Sequence, residues 1–274
     1  MPLVPMSAAV AAARPGGLGA FNVIVLEQAE AIVAGAENAN RPVVLQISQN
    51  TAVYHRGMKP LAVACLQIAA DSGADVVVHL DHATSAELIH EAVDLGIRSV
   101  MFDASVLAHQ DNIDATAVIA NWCHDRGAEV EAELGEVGGK DGVHAPGVRT
   151  DPDEAAAYVA ATGVDALAVA VGSSHAMLTR DAVLDDELIA RLAAAVSVPL
   201  VLHGSSGVAD SGLVSAVQHG MQKINIATHL NKVMAGAVRS ALADENVVDP
   251  RKYLGPGRSR VEAEVERLLR LLSR

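Results

Sequence analysis

The stretch VVVHLD at residues 76–81, followed at once by His82, puts an Asp–His pair at the end of a β-branched, apolar run. The same event recurs along the chain: SVMFDAS carries Asp103, AVGSSH ends in His175 and LVLHGSSG carries His203. Four strand-like runs thus deliver ionisable groups at their C-terminal ends. In a parallel barrel those ends converge on one mouth, where residues distant in sequence can share a metal ion. The pattern predicts a metal enzyme.

Outward from this stretch, apolar runs recur at 20–25, 43–48, 76–81, 99–104, 128–134, 166–171, 199–203 and 223–228. Helical periodicity fills the gaps, as in SAELIHEAVDLG, where Leu88, Ile89, Ala92, Val93 and Leu95 form one apolar stripe. Gly73, Gly96, Gly127, Gly163 and Gly220 fall between a helical pattern and the next strand, where left-handed C-caps are expected, and Pro42 and Pro199 mark two further strand entries. Eight such units predict an α/β fold, a (β/α)8 barrel; the His and Asp residues at strand ends favour it over an open doubly wound sheet. A first helix from Ser7 to about Arg14, N-capped by Ser7 and stopped by Pro15, would cover the barrel floor. At the other end VEAEVERLLRLL aligns Val261, Val265, Leu268, Leu269 and Leu272, a helical extension that would dock on the barrel or on another subunit. The expectation is one catalytic domain spanning all 274 residues.

Composition narrows the function classes. A net charge of -13 argues against binding a nucleic-acid backbone, which requires a clustered basic face, while leaving room for a small phosphorylated substrate held by a few N–H groups. No apolar run approaches the roughly 20 residues that span a bilayer, so no membrane association is expected. Cys65 and Cys123 lie in helical patterns without metal-ligand spacing and read as small buried thiols. A cytoplasmic protein is expected.

His82, His175 and His203 offer three imidazoles from three strand ends and leave a coordination position open, as catalytic zinc requires. His90, His124 and His219 fall on helical segments and read as surface or cap residues. His79 shares a strand face with Asp81 and can orient a neighbour; Asp81 suits acid–base work beside the metal or second-shell tuning of a ligand. Asp103 and Glu133 can bind a second cation or hold the histidines, and with Glu131 they require a positive group nearby. The turns HGSSG (203–207) and NIAT (225–228) follow the last two strands, where barrels commonly bind phosphate. GEVGGKDGVHAPGVRTDP at 135–152 is long enough for an active-site lid, with Lys140, Asp141, His144 and Arg149 as charged or proton-transferring groups.

Taken in order, HLDHA, EAELGEVGG, LAVAVGSSH, LVLHGSSG and KINIAT resemble the zinc-dependent class II ketose-bisphosphate aldolases, and the likeness runs from GAFNV at 19–23 to DPRKYL at 249–254. The resemblance implies catalytic Zn2+ on His82, His175 and His203, and Asp81 as the proton-handling residue. Asp103 and Glu133 match an alternative metal site, with a monovalent cation or second divalent metal as a further cofactor. Asn22, Ser48, Ala176, Gly204, Ser205, Ser206, Asn225, Ala227 and Thr228 match the substrate pocket, and Arg251 matches an arginine that reaches the distal phosphate from a neighbouring subunit. A homodimer or homotetramer is implied. The implied reaction is reversible cleavage of fructose- or tagatose-1,6-bisphosphate to dihydroxyacetone phosphate and an aldehyde, through a metal-stabilised enediolate.

Three positions depart from the pattern. The lid offers Lys140 and Asp141 where many relatives carry Glu, making Asp141 the candidate second proton-transfer group. Ala176 replaces the usual Gly, and His229 stands where Glu commonly follows the Thr of the last strand. Ala227 leans toward tagatose-type relatives. Other readings are an aldolase for a phosphorylated sugar acid, a barrel metallohydrolase using zinc-activated water, and a non-catalytic aldolase-like subunit.

Overall fold

The computed structural model describes residues 3–135, 149–174, 177 and 179–274. Helix α1 (Met6–Ala13) precedes β1 (Leu18–Asn22), α2 (Leu26–Ala39) and β2 (Val43–Ser48). Two helices, α3 (Gln49–Tyr54) and α4 (Lys59–Asp71), lead to β3 (Val76–Ala83), followed by α5 (Ala86–Asp94), β4 (Ser99–Phe102), α6 (His109–His124) and β5 (Glu129–Leu134). After α7 (Pro152–Thr162) come β6 (Ala166–Val169), α8 (Asp186–Ala195), β7 (Leu200–Leu202), a 3-10 turn at Ser205–Gly207, α9 (Asp210–His219) and β8 (Met221–Ile226). Helices α10 (Thr228–Ala241) and α11 (Pro250–Leu272) close the chain. All eight strands are parallel and β1 pairs with β8, so the expected (β/α)8 barrel is closed.

Period-2 alternation explains how the strands serve two cores. Val43, Leu45 and Ile47 of β2, and Val76, Val78 and Leu80 of β3, pack outward against the helices. Val44 and Val77 turn inward and, with Leu18 and Ala20 of β1, meet Met6, Ala9, Val10 and Ala13 of α1. Helix α1 therefore plugs the floor.

Its cap differs from the expectation. Ser7 lies inside α1, Pro5 is the N-cap, and the free N–H groups of Met6 and Ser7 donate to the Glu129 carboxylate at 2.6 and 3.1 Å. A charge from β5 satisfies the helix start across more than a hundred residues, which local Ser-capping patterns cannot reveal. The first strand also begins at Leu18 rather than residue 20. Gly96, Gly127, Gly163 and Gly220 have positive φ, whereas Gly73 does not; its N–H instead donates to Glu37 at 2.8 Å.

Val261, Val265, Leu268, Leu269 and Leu272 of α11 are all buried on this chain. The helix seats on α2, where a Cβ added to Gly35 would meet Val265 at 2.9 Å, so small size permits close approach. Cys65 and Cys123 are free and buried, and burial pushes their thiols up to about 12 and about 11. Among the described residues, no helix is long and apolar enough to cross a membrane.

Candidate metal centre and active site

Strand β3 supplies the first half of the site. His79 and Asp81 alternate inward, so strict alternation would send His82 outward beside Leu80. Instead the pairing of β3 with β4 shifts between Leu80 and Ala83, and His82 adopts φ 50°, the left-handed region. For a non-Gly residue this costs on the order of 1–3 kcal/mol. It turns consecutive residues, Asp81 and His82, to the same mouth.

Two other strands complete the cluster. His203 lies one residue past β7 and its ring meets that of His82 edge-on, with centroids 4.6 Å apart. His82 Nδ1 faces Asp103 Oδ2 at 2.9 Å; an ionised carboxylate only accepts, so Nδ1 is the donor. Nε2 in turn lies 4.0 Å from Asp81 Oδ1. Candidate ligand atoms of Asp81, His82 and His203 lie within 4.8 Å of one another, as do those of His82, Asp103 and Glu133. His175 and Ala176, together with Lys140, Asp141 and His144 of the expected lid, lie outside the described residues.

Beneath the mouth is a pair the sequence reading did not assign. Lys223 Nζ on β8 donates to Glu131 Oε2 at 2.8 Å, and Glu131 Oε1 accepts from His203 Nε2 at 3.0 Å. Lys223 is the positive group that the glutamates of β5 require. The signal was a lysine at an inward position of KINIAT, the one basic residue in that run. Burial alone would raise the Glu131 carboxyl, but Lys223 and His203 hold it far below the usual range. Burial drives His79 down to about 3, so it is neutral; its Nδ1 pairs with Ser99 Oγ at 2.8 Å.

Replacing Lys223 by Met should leave Glu131 charged in the interior without its ammonium partner, at a cost of about 3–5 kcal/mol in unfolding free energy. Urea denaturation measures this. Adding Glu131→Gln should recover much of the loss, and a single variant as stable as the parent would remove the pair from the stability argument.

His203 faces carboxylates at both ring nitrogens, with Glu133 Oε2 3.1 Å from Nδ1. Burial disfavours its charge, but Glu131 and Glu133 outweigh that and raise its pKa to about 9. Among the described residues, four buried carboxylates, Asp81, Asp103, Glu131 and Glu133, share one buried ammonium, that of Lys223. Such a cluster demands further positive charge, from protonated imidazole or a metal ion. The residues fit a metal: among the described residues Asp81 Oδ1 is buried without a hydrogen-bond partner, and imidazole with carboxylate suits zinc.

The expected phosphate-binding residues gather at the ends of β7 and β8. Gly204 has φ 67°, and a Cβ there would meet the Ser174 backbone at 2.6 Å, so only glycine allows the two loops to approach. Ser205 donates to the Asn225 carbonyl. Ser206 Oγ accepts from the N–H groups of Ala227 at 3.3 Å and His229 at 3.2 Å, while Thr228 opens α10. Asn225 Oδ1 is buried without a hydrogen-bond partner among the described residues. Asn22 donates to Asp81 Oδ2 at 3.0 Å, and Ser48, opposite Asp81 in the sheet, caps α3. Arg251 is not brought in: its side chain is 90% exposed and pairs with Asp249 at 2.8 Å.

The family model described as fructose-bisphosphate aldolase class-II matches residues 5–274. The chain belongs to this family. A protein named fructose-bisphosphate aldolase from Staphylococcus epidermidis is 38% identical over 98% of this chain and 97% of its own length. One of the same name from Geobacillus stearothermophilus is 39% identical over 90% of this chain and 88% of its own. The crystal structure of the YdjI aldolase from Escherichia coli K12 superimposes with a TM-score of 0.87 at 32% identity, covering 98% of this chain and 97% of that one. As a class II aldolase, the protein is a lyase that cleaves a phosphorylated ketose by aldol chemistry, and its family depends on a metal.

Proposed function

We propose that this aldolase cleaves a ketose 1,6-bisphosphate, of the fructose or tagatose type, to dihydroxyacetone phosphate and an aldehyde, with chain 1–274 as one catalytic unit. The observation that carries the reading is Asp81: one oxygen is fixed by Asn22, and the other is buried beside two imidazoles without a hydrogen-bond partner among the described residues. Desolvation acts to raise its carboxyl, but His82 and His203 dominate and lower it to about 2, so Asp81 is ionised and ready to accept a hydroxyl proton.

His82 and His203, with His175, would hold zinc, which when bound polarises the ketone oxygen and makes the adjacent carbon acidic. Asp103 orients His82 and Glu131 orients His203, as carboxylates commonly do for metal-binding histidines. Asp103 and Glu133 with His82 form a second candidate group for a divalent or monovalent cation. Asp141 is the proposed second proton-transfer residue. Gly204, Ser205, Ser206, Asn225 and Thr228 bind the phosphate of the dihydroxyacetone half; Ser48 and Ala176 complete the pocket. Ala227 presents only a methyl, so it supplies no side-chain hydrogen bond to a sugar hydroxyl, and this is the observation that keeps the tagatose sugar in the reading.

Arg251, exposed here, would serve a neighbouring subunit's distal phosphate in a homodimer or homotetramer. Arg251→Ala should raise KM for the bisphosphate about tenfold or more, the scale of one charge-assisted contact, with little change in kcat. An unchanged KM would remove Arg251 from the site. The acidic net charge and the buried free thiols support a small-molecule enzyme in a reducing cytoplasm.

The deciding experiment follows release of dihydroxyacetone phosphate from fructose- and tagatose-1,6-bisphosphate, with zinc and after chelation. Zinc-dependent release identifies the sugar by kcat/KM. Release that survives complete chelation defeats the metal assignment, and no release from either sugar defeats the substrate assignment.

A further inference from the structure

His229 takes no part in the chemistry above, yet it ends a continuous polar circuit. Its Nε2 donates to Glu264 Oε1 on α11 at 2.6 Å. Arg267, one turn on, donates to both Glu264 oxygens at 2.8 and 3.0 Å and to Asp210 Oδ2 at 2.6 Å. Asp210, opening α9, also accepts from Arg180 at 2.7 Å, and Arg180 donates to the Val208 carbonyl at 2.9 Å. The circuit thus begins at Val208 and returns, through the His229 N–H, to Ser206 only two residues away. It fastens the turn after β7 to the first turn of α10, the two segments that carry the proposed phosphate ligands.

The circuit adds polar links between the Ser205–Gly207 turn, α9, α10 and α11, elements that also pack directly on one another. His229 and Glu264 are partly buried, with side chains 20% and 18% exposed, so their contact is sheltered from water. Partial burial tends to raise the Glu264 carboxyl, but His229 and Arg267 hold it down at about 2, which keeps it charged and accepting. Ser206 Oγ already gathers the Ala227 and His229 N–H groups. A phosphate held by these groups requires them at fixed separation, because backbone donors gain affinity chiefly from preorganisation.

We propose that His229 is a positioning residue that, through Glu264, clamps the first turn of α10 against the Ser205–Gly207 turn and so sets affinity for the substrate's phosphate. The inference rests on the phosphate pocket named under the proposed function. Its test uses the full-length enzyme in the condensation direction, with dihydroxyacetone phosphate varied. His229→Ala should raise KM for dihydroxyacetone phosphate about tenfold, with kcat within about twofold of the parent. His229→Gln, which keeps a donor for Glu264, should restore most of the affinity. Combining His229→Ala with Glu264→Ala should weaken binding no more than Glu264→Ala alone, since the His229 contact is already lost in that variant.

An unchanged KM in His229→Ala, a fall in kcat at constant KM, or fully additive effects in the double variant would overturn the clamp. Ser206→Ala keeps the two ideas apart. An unchanged KM there overturns the phosphate pocket itself, whereas a raised KM there with an unchanged KM in His229→Ala overturns the clamp alone.

Discussion

Asp81→Ala is expected to lower kcat by about 10²–10⁴-fold, the usual scale for loss of a positioned acid–base group, while the protein keeps its metal. The geometry separates the two roles. His82 and His203 offer nitrogens oriented by Asp103 and Glu131, whereas Asp81 is anchored through Asn22 and presents an oxygen without a hydrogen-bond partner among the described residues. Removing the carboxylate therefore takes away the proton acceptor and leaves both imidazoles in place. Metal content by atomic emission, with kcat and KM on the same preparation, decides the matter. A variant that loses metal along with activity would make Asp81 a ligand, which its place within 4.8 Å of both rings would permit.

His203→Ala is expected to abolish both metal retention and turnover. The fold should survive: His203 sits at the mouth, whereas the floor plug and the outer helical core lie elsewhere. The deletion still has a structural cost, because Glu131 and Glu133 each lose the imidazole that faces them, and breaking a buried charged contact costs about 3–5 kcal/mol. The melting temperature should fall with the circular dichroism of the barrel intact. Full activity in a metal-free His203→Ala enzyme would end the metal-centred account.

The convergence of Asp81, His82, Asp103, Glu133 and His203 was legible because strand C-termini share one mouth, whatever their spacing in sequence. Strand order and the stripe of α11 were legible from periodicity for the same kind of reason. What escaped depends on contacts between distant segments. The Glu129 cap on α1 replaces the local cap expected from Ser7, and the partner for Glu131 comes from Lys223 on the far side of the barrel. The left-handed turn at His82 has no sequence signature either, since an Asp–His pair ordinarily splits across two faces. The partner of His229 is likewise distant, Glu264 lying thirty-five residues away in sequence.

The docking of α11 on α2, together with the pairing of β1 with β8, ties the first strand and helix to the last. During synthesis β1 has only β2 along one edge until β8 follows, and the face of α2 around Gly35 stays wet until Glu262 and Val265 of α11 reach it. Closure therefore waits for β8, and a chain that lacks β8 and α11 is an open sheet with an uncovered helix face rather than a smaller enzyme.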